Sequence, residues 1–268
     1  VIRQIIIHCF ILCFFVVNVT SSQEIEFSKI KSDTATTFNF VNKTYAPITL
    51  KISKKQDTEI QFLEGNTLCK PQDSLVNVMN VPKRLFENDS TFEISDYLSL
   101  SYSFGKTLPQ DSIKNYLYEL PFQKKKRYKI MQGFNGKFSH QSVQSKYAID
   151  FKIPIGDTIV AARNGYVVRV LSHFTERGGK SYRDKANQIV IVHDDGTFAY
   201  YVHLDTNGTL VEVNDYVKAG QSIGIAGFTG YTTKPHLHFV VRNAEEAIPI
   251  EFKKKEGIGK KSGVWVKN

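Results

Sequence analysis

The stretch "TTKPHLHFVV", Thr232 to Val241, carries His236 and His238 one residue apart inside a β-branched and aromatic run. On a strand, side chains at i and i+2 share a face, so both imidazoles point one way while Leu237 and Phe239 point the other. Two imidazoles aimed into one cavity suit metal ligation or acid–base chemistry, and two hydrogen-bonded structural histidines satisfy the same pattern. Six of the seven histidines lie at or after residue 140, so a site built from them belongs to the second half of the chain. In "YYVHL" the same alternation puts Tyr201 and His203 on one face, Val202 and Leu204 on the other. In "KYAIDF" it turns Asp150 away from Ile149 and Phe151. Burying an unpaired carboxylate costs on the order of several kcal/mol or forces its protonation, so a cation beside Asp150 is the simplest explanation.

The elements that must hold these residues are strands. "YAIDFKI", "TIVAARNGYVVRVLSHF", "NQIVIVHDDGTFAYYVHL", "LVEVNDYVKAGQSIGIAG" and "PHLHFVVRN" are β-rich runs, with Asn164-Gly165 and Asp195-Gly196 as two-residue hairpin signals. "TERGGKSYRDKA", Thr175 to Ala186, reads as a long charged loop at the edge of a cleft. Before it, from Glu24 to about Tyr128, short runs such as "TTFNFVNKTYAPITLKIS" and "LSLSYSFG" alternate at period two. These predict a small antiparallel β-sandwich-like domain over 24–128, with no histidine and no cluster of catalytic residue types. The basic segment "PFQKKKRYK" is expected to connect it to a second, mostly β domain over 129–252, with a basic tail over 253–268. No internal repeat or long amphipathic helix is evident.

Length and composition agree with two globular units: 268 residues, 41% hydrophobic and 23% charged. Arg3 followed by the apolar run Ile5 to Val17, then Thr20, Ser21 and Ser22, reads as an export signal over 1–23. The run is shorter than the roughly 20 residues of a membrane-spanning helix, though an uncleaved anchor is the alternative. Loss of Cys9 and Cys13 with the signal leaves Cys69 alone, so an internal disulfide or a cysteine metal site is not expected. Metal ligands must then be His and carboxylate. The net charge of +9, with Lys124 to Arg127 and Lys253 to Lys255 as dense runs, favours polyanionic surroundings such as cell-wall polymers or anionic lipid. No nucleic-acid-binding pattern accompanies the charge, and no nucleic-acid partner is expected.

From about Ser139 to Asn243 the chain resembles the lysostaphin-type, or LytM-like, zinc endopeptidases that cut peptidoglycan cross-links. Seven ordered blocks carry the resemblance: His140 with Asp150, "PIGDTIVAARNGYV", "IVHDDG", "YVHL", "VKAGQSIG", "GFTG" and "PHLHF". The resemblance implies an antiparallel β catalytic domain, a zinc ion held by His140, Asp150 and His238, and His203 and His236 as unligated catalytic imidazoles. In the implied mechanism His236 accepts the proton of the attacking water and passes it to the leaving amine, while His203 hydrogen-bonds the oxyanion; sequence leaves open which imidazole does which. Nine residues, Gln141 to Ile149, separate His140 from Asp150, where many members have three. Lys234 stands in place of a small residue before "PHLHF", and Val240 in place of an acidic one after it. His193 is expected to order a turn, His173 to be exposed, and Asn187 and Gln188 to lie at a loop or rim, with a structural role as the alternative for Asn187. The function implied is an exported zinc metalloendopeptidase of peptidoglycan, in the periplasm, cell envelope or outside the cell. The alternatives are an inactive cell-wall-binding or amidase-activating module, and a polyanion-binding surface protein with structural histidines.

Overall fold

The computed structural model describes residues 24–88, 91–105 and 116–268, apart from the side chain of residue 88. The export signal expected over 1–23 lies outside the described residues. Among the described residues no helix is long and apolar enough to cross a membrane. The chain is mostly β and divides into two compact units, 1–106 and 107–268.

In the first unit, Ile25–Lys31, Ala35–Asn42, Ser74–Pro82 and Gln61–Phe62 form a four-stranded antiparallel sheet, while Gly65–Cys69, Ile48–Lys54 and Leu98–Phe104 form a three-stranded one. The period-two alternation is kept: Ile48, Leu50 and Ile52 are buried and pair with buried Phe104, Tyr102 and Leu100 on one face. Between Ala35–Asn42 and Ile48–Lys54, buried Asn42 clamps the turn. Its amide donates to the carbonyls of Ala46 and Lys70, both at 2.8 Å, and its oxygen accepts from the Thr44 backbone N–H at 2.9 Å.

The second unit is built on an eight-stranded antiparallel sheet in the order Tyr216–Val217, Gly165–Leu171, Gln188–Val192, Phe198–Val202, Leu237–Arg242, Ile149–Lys152, Arg127–Gln132, Trp265–Lys267. A three-stranded sheet of Thr158–Val160, Ser222–Ala226 and Leu204–Thr209 shares its core. Ile149, Phe151, Ile189, Ile191, Tyr201 and Phe239 turn to that core, all fully buried. Each large apolar side chain buried this way contributes about 1.5–3 kcal/mol. The other face of the same strands is free to carry polar groups, and it carries Asp150 and His238, which pair across Ile149–Lys152 and Leu237–Arg242.

The structure differs from the sequence reading at three joints. The basic segment around Lys124 does not lie between the units: Phe122 is fully buried, and Arg127–Gln132 is an inner strand of the sheet. The apolar alternation Tyr118, Leu120, Phe122, Tyr128, Ile130 was masked by the intervening lysines. The basic stretch after residue 252 is likewise not a free tail, because Trp265–Lys267 pairs with Arg127–Gln132 and buries Val266. Asn164-Gly165 makes no hairpin; the chain there passes from the three-stranded to the eight-stranded sheet, and the Asn164 side chain accepts from the Ala219 N–H at 2.8 Å. Asp195-Gly196 does turn a hairpin, with Gly196 at φ 78°.

Candidate metal centre

Asp150 is the focus of the polar face. Its Oδ1 lies 3.1 Å from His140 Nε2, 2.9 Å from His238 Nδ1 and 3.7 Å from His236 Nε2. Ligand atoms of His140, Asp150 and His238 all lie within 4.8 Å of one another. The other carboxylate oxygen accepts from the Gln132 amide at 3.2 Å, and Gln132 also donates to Ser139 Oγ at 2.8 Å. Among the described residues the carboxylate makes no ion pair with lysine or arginine.

His140 arrives from a run of turns between Arg127–Gln132 and Ile149–Lys152, so the nine intervening residues fold back on themselves. The Ser145 hydroxyl donates to the Ser139 carbonyl at 2.9 Å, and the His140 N–H donates to the Gly136 carbonyl at 3.0 Å. His140 is fully buried, and its Nδ1 donates to the Gly133 carbonyl at 2.8 Å. A Cβ at Gly133 would sit 2.5 Å from the Gly259 carbonyl oxygen, so glycine alone lets the backbone aim that carbonyl at the ring.

His203 reaches the site by breaking the strand. Tyr201 pairs with Phe239 on the core face, so strict alternation would send His203 to the same face, away from His238. Instead His203 sits at φ 69° between Phe198–Val202 and Leu204–Thr209, and this left-handed residue swings its ring to the polar face. Its ring centroid lies 4.7 Å from that of His236 and 6.1 Å from that of His238. The turn is held from outside. His203 Nδ1 donates to the Thr229 carbonyl at 2.7 Å, the Thr229 hydroxyl donates to the Leu204 carbonyl at 2.8 Å, and the Gly227 N–H donates to the His203 carbonyl at 3.1 Å. A Cβ at Gly227 would lie 2.3 Å from the Asp205 backbone, which accounts for glycine in "GFTG".

His236 completes the set, with Nδ1 donating to the Lys234 carbonyl at 2.8 Å and Thr232 Oγ1 at 3.2 Å. Three rings, those of His140, His203 and His236, thus use Nδ1–H on a backbone carbonyl and turn Nε2 inward. A neutral His140 then faces a carboxylate oxygen with a lone pair, two acceptors at 3.1 Å; a proton taken up by the ring or a shared metal cation makes that contact favourable.

The electrostatics follow. Burial alone would raise the Asp150 pKa, but the bonds from His140 and His238 hold it well below the usual carboxylate range. Burial works against charge on His140 too, yet contact with Asp150 moves its pKa upward. His203 is pushed well below the ordinary imidazole value by burial, then by the neighbouring His236 and His238. His238 is pushed down by burial, with Asp150 opposing.

The remaining histidines lie elsewhere. His193 sits at the Asp195-Gly196 turn, its backbone N–H donating to the Thr197 carbonyl at 2.8 Å, and His173 is exposed. Asn187 is fully buried rather than at a rim: its side chain ties Phe174 and Asp205 to the start of Gln188–Val192 with three hydrogen bonds, and its backbone N–H donates to the Thr229 hydroxyl at 3.0 Å. The "TERGGKSYRDKA" loop contains a short strand, Arg177–Gly178, pairing in parallel with Gly230–Tyr231, and a 3-10 helix, Lys180–Lys185. Gln132, Thr229 and Thr232 contact the site and had no signal in the sequence beyond the threonine of "GFTG".

Residues 144–250 match Peptidase family M23. Lysostaphin of Staphylococcus simulans is 39% identical over 123 residues, 44% of this chain and 23% of that protein. The peptidoglycan DD-endopeptidase ShyB of Vibrio cholerae is 38% identical over 119 residues, 42% of this chain and 25% of that protein. The chain therefore spans about a quarter of the length of these curated relatives. The solved catalytic domain of lysostaphin from Staphylococcus simulans aligns at 31% identity with a TM-score of 0.33, over 50% of this chain and 89% of that one. The second unit carries a Peptidase family M23 domain with lysostaphin among its relatives, and His140 lies just ahead of the matched segment.

Proposed function

We propose that this M23 domain is a zinc endopeptidase that hydrolyses the peptide cross-links of peptidoglycan after export to the cell envelope. The observation that supports it most is the facing of two imidazole nitrogens toward one buried carboxylate oxygen that, among the described residues, has no lysine or arginine counter-charge. Two imidazoles and a carboxylate are a donor set that zinc accepts, with a fourth position left for a non-protein ligand. When bound, the ion supplies Lewis acidity and brings the pKa of a water to about 7.

His140, Asp150 and His238 hold the ion in this reading, and Gln132 fixes the rotation of the Asp150 carboxylate. The two remaining imidazoles divide the proton work. His203 has its Nδ1–H engaged by Thr229 and is kept neutral by burial, so its Nε2 offers a lone pair and takes the proton of the attacking water. His236, its Nε2 3.7 Å from the Asp150 carboxylate, is the ring assigned to hydrogen-bond the carbonyl oxygen as charge develops there. This reverses the division first drawn from the resemblance, because a neutral His203 has no donor left on the side facing the site. The first unit is a sandwich-like accessory domain in this proposal, serving to orient or shield the catalytic one.

The test is zinc content measured beside cleavage of purified peptidoglycan. Wild type is expected to hold one zinc and release cross-link peptides, with loss on chelation and recovery on adding zinc back. His238→Ala is expected to lose the metal, and His236→Ala to keep it while losing cleavage. A protein that binds zinc, or wall material, and cuts no peptide bond would instead be a binding module.

A further inference from the structure

The face of the sheet that carries the candidate centre does not end there. Lys152 lies two residues beyond Asp150 on the same strand and therefore on the same face. Lys152 pairs with Lys129, Lys129 with Trp265, and Arg127 with Lys267; side chains paired across antiparallel strands share a face. On the other strand Gln132, paired with Asp150, donates to its carboxylate, which places that strand's polar side beside the centre as well. The opposite side of the same strands is spent on the core, where Phe151, Ile130, Tyr128 and Val266 are buried. Two residues along a strand advance about 7 Å. The first basic row, Lys152, Lys129 and Trp265, thus starts one such step from the carboxylate, and Arg127 with Lys267 makes the next.

The chemistry of the strip is uniform. Trp265 is the chain's single tryptophan and is 56% exposed, with the Arg127 guanidinium 5.1 Å over its ring. Among the described residues Arg127, Lys129, Lys152 and Lys267 make no ion pair, whereas Lys126, Lys146, Lys185 and Lys253 each have a carboxylate partner. Four uncompensated cations around one exposed indole, on the three strands at this end of the sheet, match a ligand with flat apolar sugar faces and carboxylates at intervals.

We infer that this strip, Arg127, Lys129, Lys152, Trp265 and Lys267, binds the peptidoglycan strand flanking the cleaved cross-link, with a sugar ring on Trp265 and stem-peptide carboxylates on the cations. The inference rests on the function proposed above and extends it, because continuity with the centre makes the flank of the same substrate the occupant.

Trp265 is its own probe. Full-length protein in chelator, where no turnover occurs, is titrated with soluble glycan–peptide fragments free of phosphodiester polymers, and tryptophan fluorescence is followed. A saturable change is expected. In the Lys129→Gln/Lys152→Gln double variant, unfolding at the wild-type temperature, binding is expected to weaken at least tenfold and to depend less steeply on salt. Trp265→Ala is expected to pellet less with insoluble peptidoglycan. Wild-type affinity in both variants overturns the inference, as does a fluorescence response to a phosphodiester polymer or to anionic vesicles but not to the fragments. Cleavage of a short cross-link peptide by the zinc-loaded wild type reports the proposed activity separately. Cleavage with an indifferent strip sinks the strip alone, and a responsive strip without cleavage sinks the activity alone.

Discussion

The hairpin of Gln188–Val192 and Phe198–Val202 has a buried histidine at each end, and the two ends do different things. At the turn, His193 donates from Nδ1 to the Asn164 carbonyl at 2.8 Å, and its Nε2 is buried with no hydrogen-bond partner among the described residues. The carboxylates nearby are already neutralised: buried Arg163 pairs with Asp194 and, at 2.8 Å, with Asp195, which also accepts from the Thr197 hydroxyl at 2.7 Å. At the open end, His203 makes the same kind of Nδ1 bond to a carbonyl, yet the carboxylate beyond it, Asp150, is faced among the described residues by imidazoles and the neutral Gln132 amide, with no lysine or arginine. Burial and one carbonyl bond therefore do not make a histidine functional. What differs is whether the neighbouring carboxylate has a guanidinium or must find its cation elsewhere.

The comparison breaks first at the carboxylates. Asp150→Ala is expected to abolish zinc binding and cleavage, while Asp195→Ala keeps the metal; zinc retained in the former would show that the imidazoles suffice without it. The next effect separates the two rings proposed as catalytic. His203→Gln, which replaces a base by an amide, is expected to lower turnover about 10²–10⁴-fold with zinc retained. His236→Gln keeps a donor and is expected to remain at least tenfold more active; equal loss in both would remove the assigned division of the proton work. Smaller again is Gln132→Ala, which frees the Asp150 carboxylate to rotate and is expected to weaken zinc affinity roughly 10–100-fold with turnover at saturating zinc near wild type. A competition titration against a chelator of known affinity reads it.

The mildest expectation concerns the turn end. Burial pushes the His193 pKa down from 6.5 to about 4, so the folded ring stays neutral while the unfolded one gains a proton below pH 6.5. Its contribution to stability is present above pH 6.5 and is lost as pH falls toward 4, at most on the order of 3 kcal/mol. Urea melts between those limits should show the loss in wild type and a shallower slope in His193→Gln, with zinc content at neutral pH unchanged. A variant with the wild-type slope would assign the acid sensitivity to other groups.

Much of the second unit was readable because its signals are local. Period-two runs marked the strands, Asp195-Gly196 marked a hairpin, and "PHLHF" put two imidazoles on one face, all from side-chain alternation that needs no partner. The strand Arg127–Gln132 and the edge strand Trp265–Lys267 were missed because lysines on their solvent side gave them the look of a connector and a tail. His203 is the sharper case. Alternation put Tyr201 and His203 on one face, and a single left-handed residue at φ 69° separates them in the fold.

Sequence alone determined the residue types of the candidate centre, since imidazole and carboxylate chemistry belongs to each side chain wherever it stands. It also determined the faces of Asp150, His236 and His238, because strand alternation is a property of the backbone within a few residues. Tertiary structure decided the rest: that Asp150 finds imidazoles and no guanidinium, that Gly133 and Thr229 set which nitrogen each ring turns inward, and that His203 joins the polar face at all. Those depend on groups far apart in the chain whose approach is set by the packing of the whole sheet, and no local pattern records that distance.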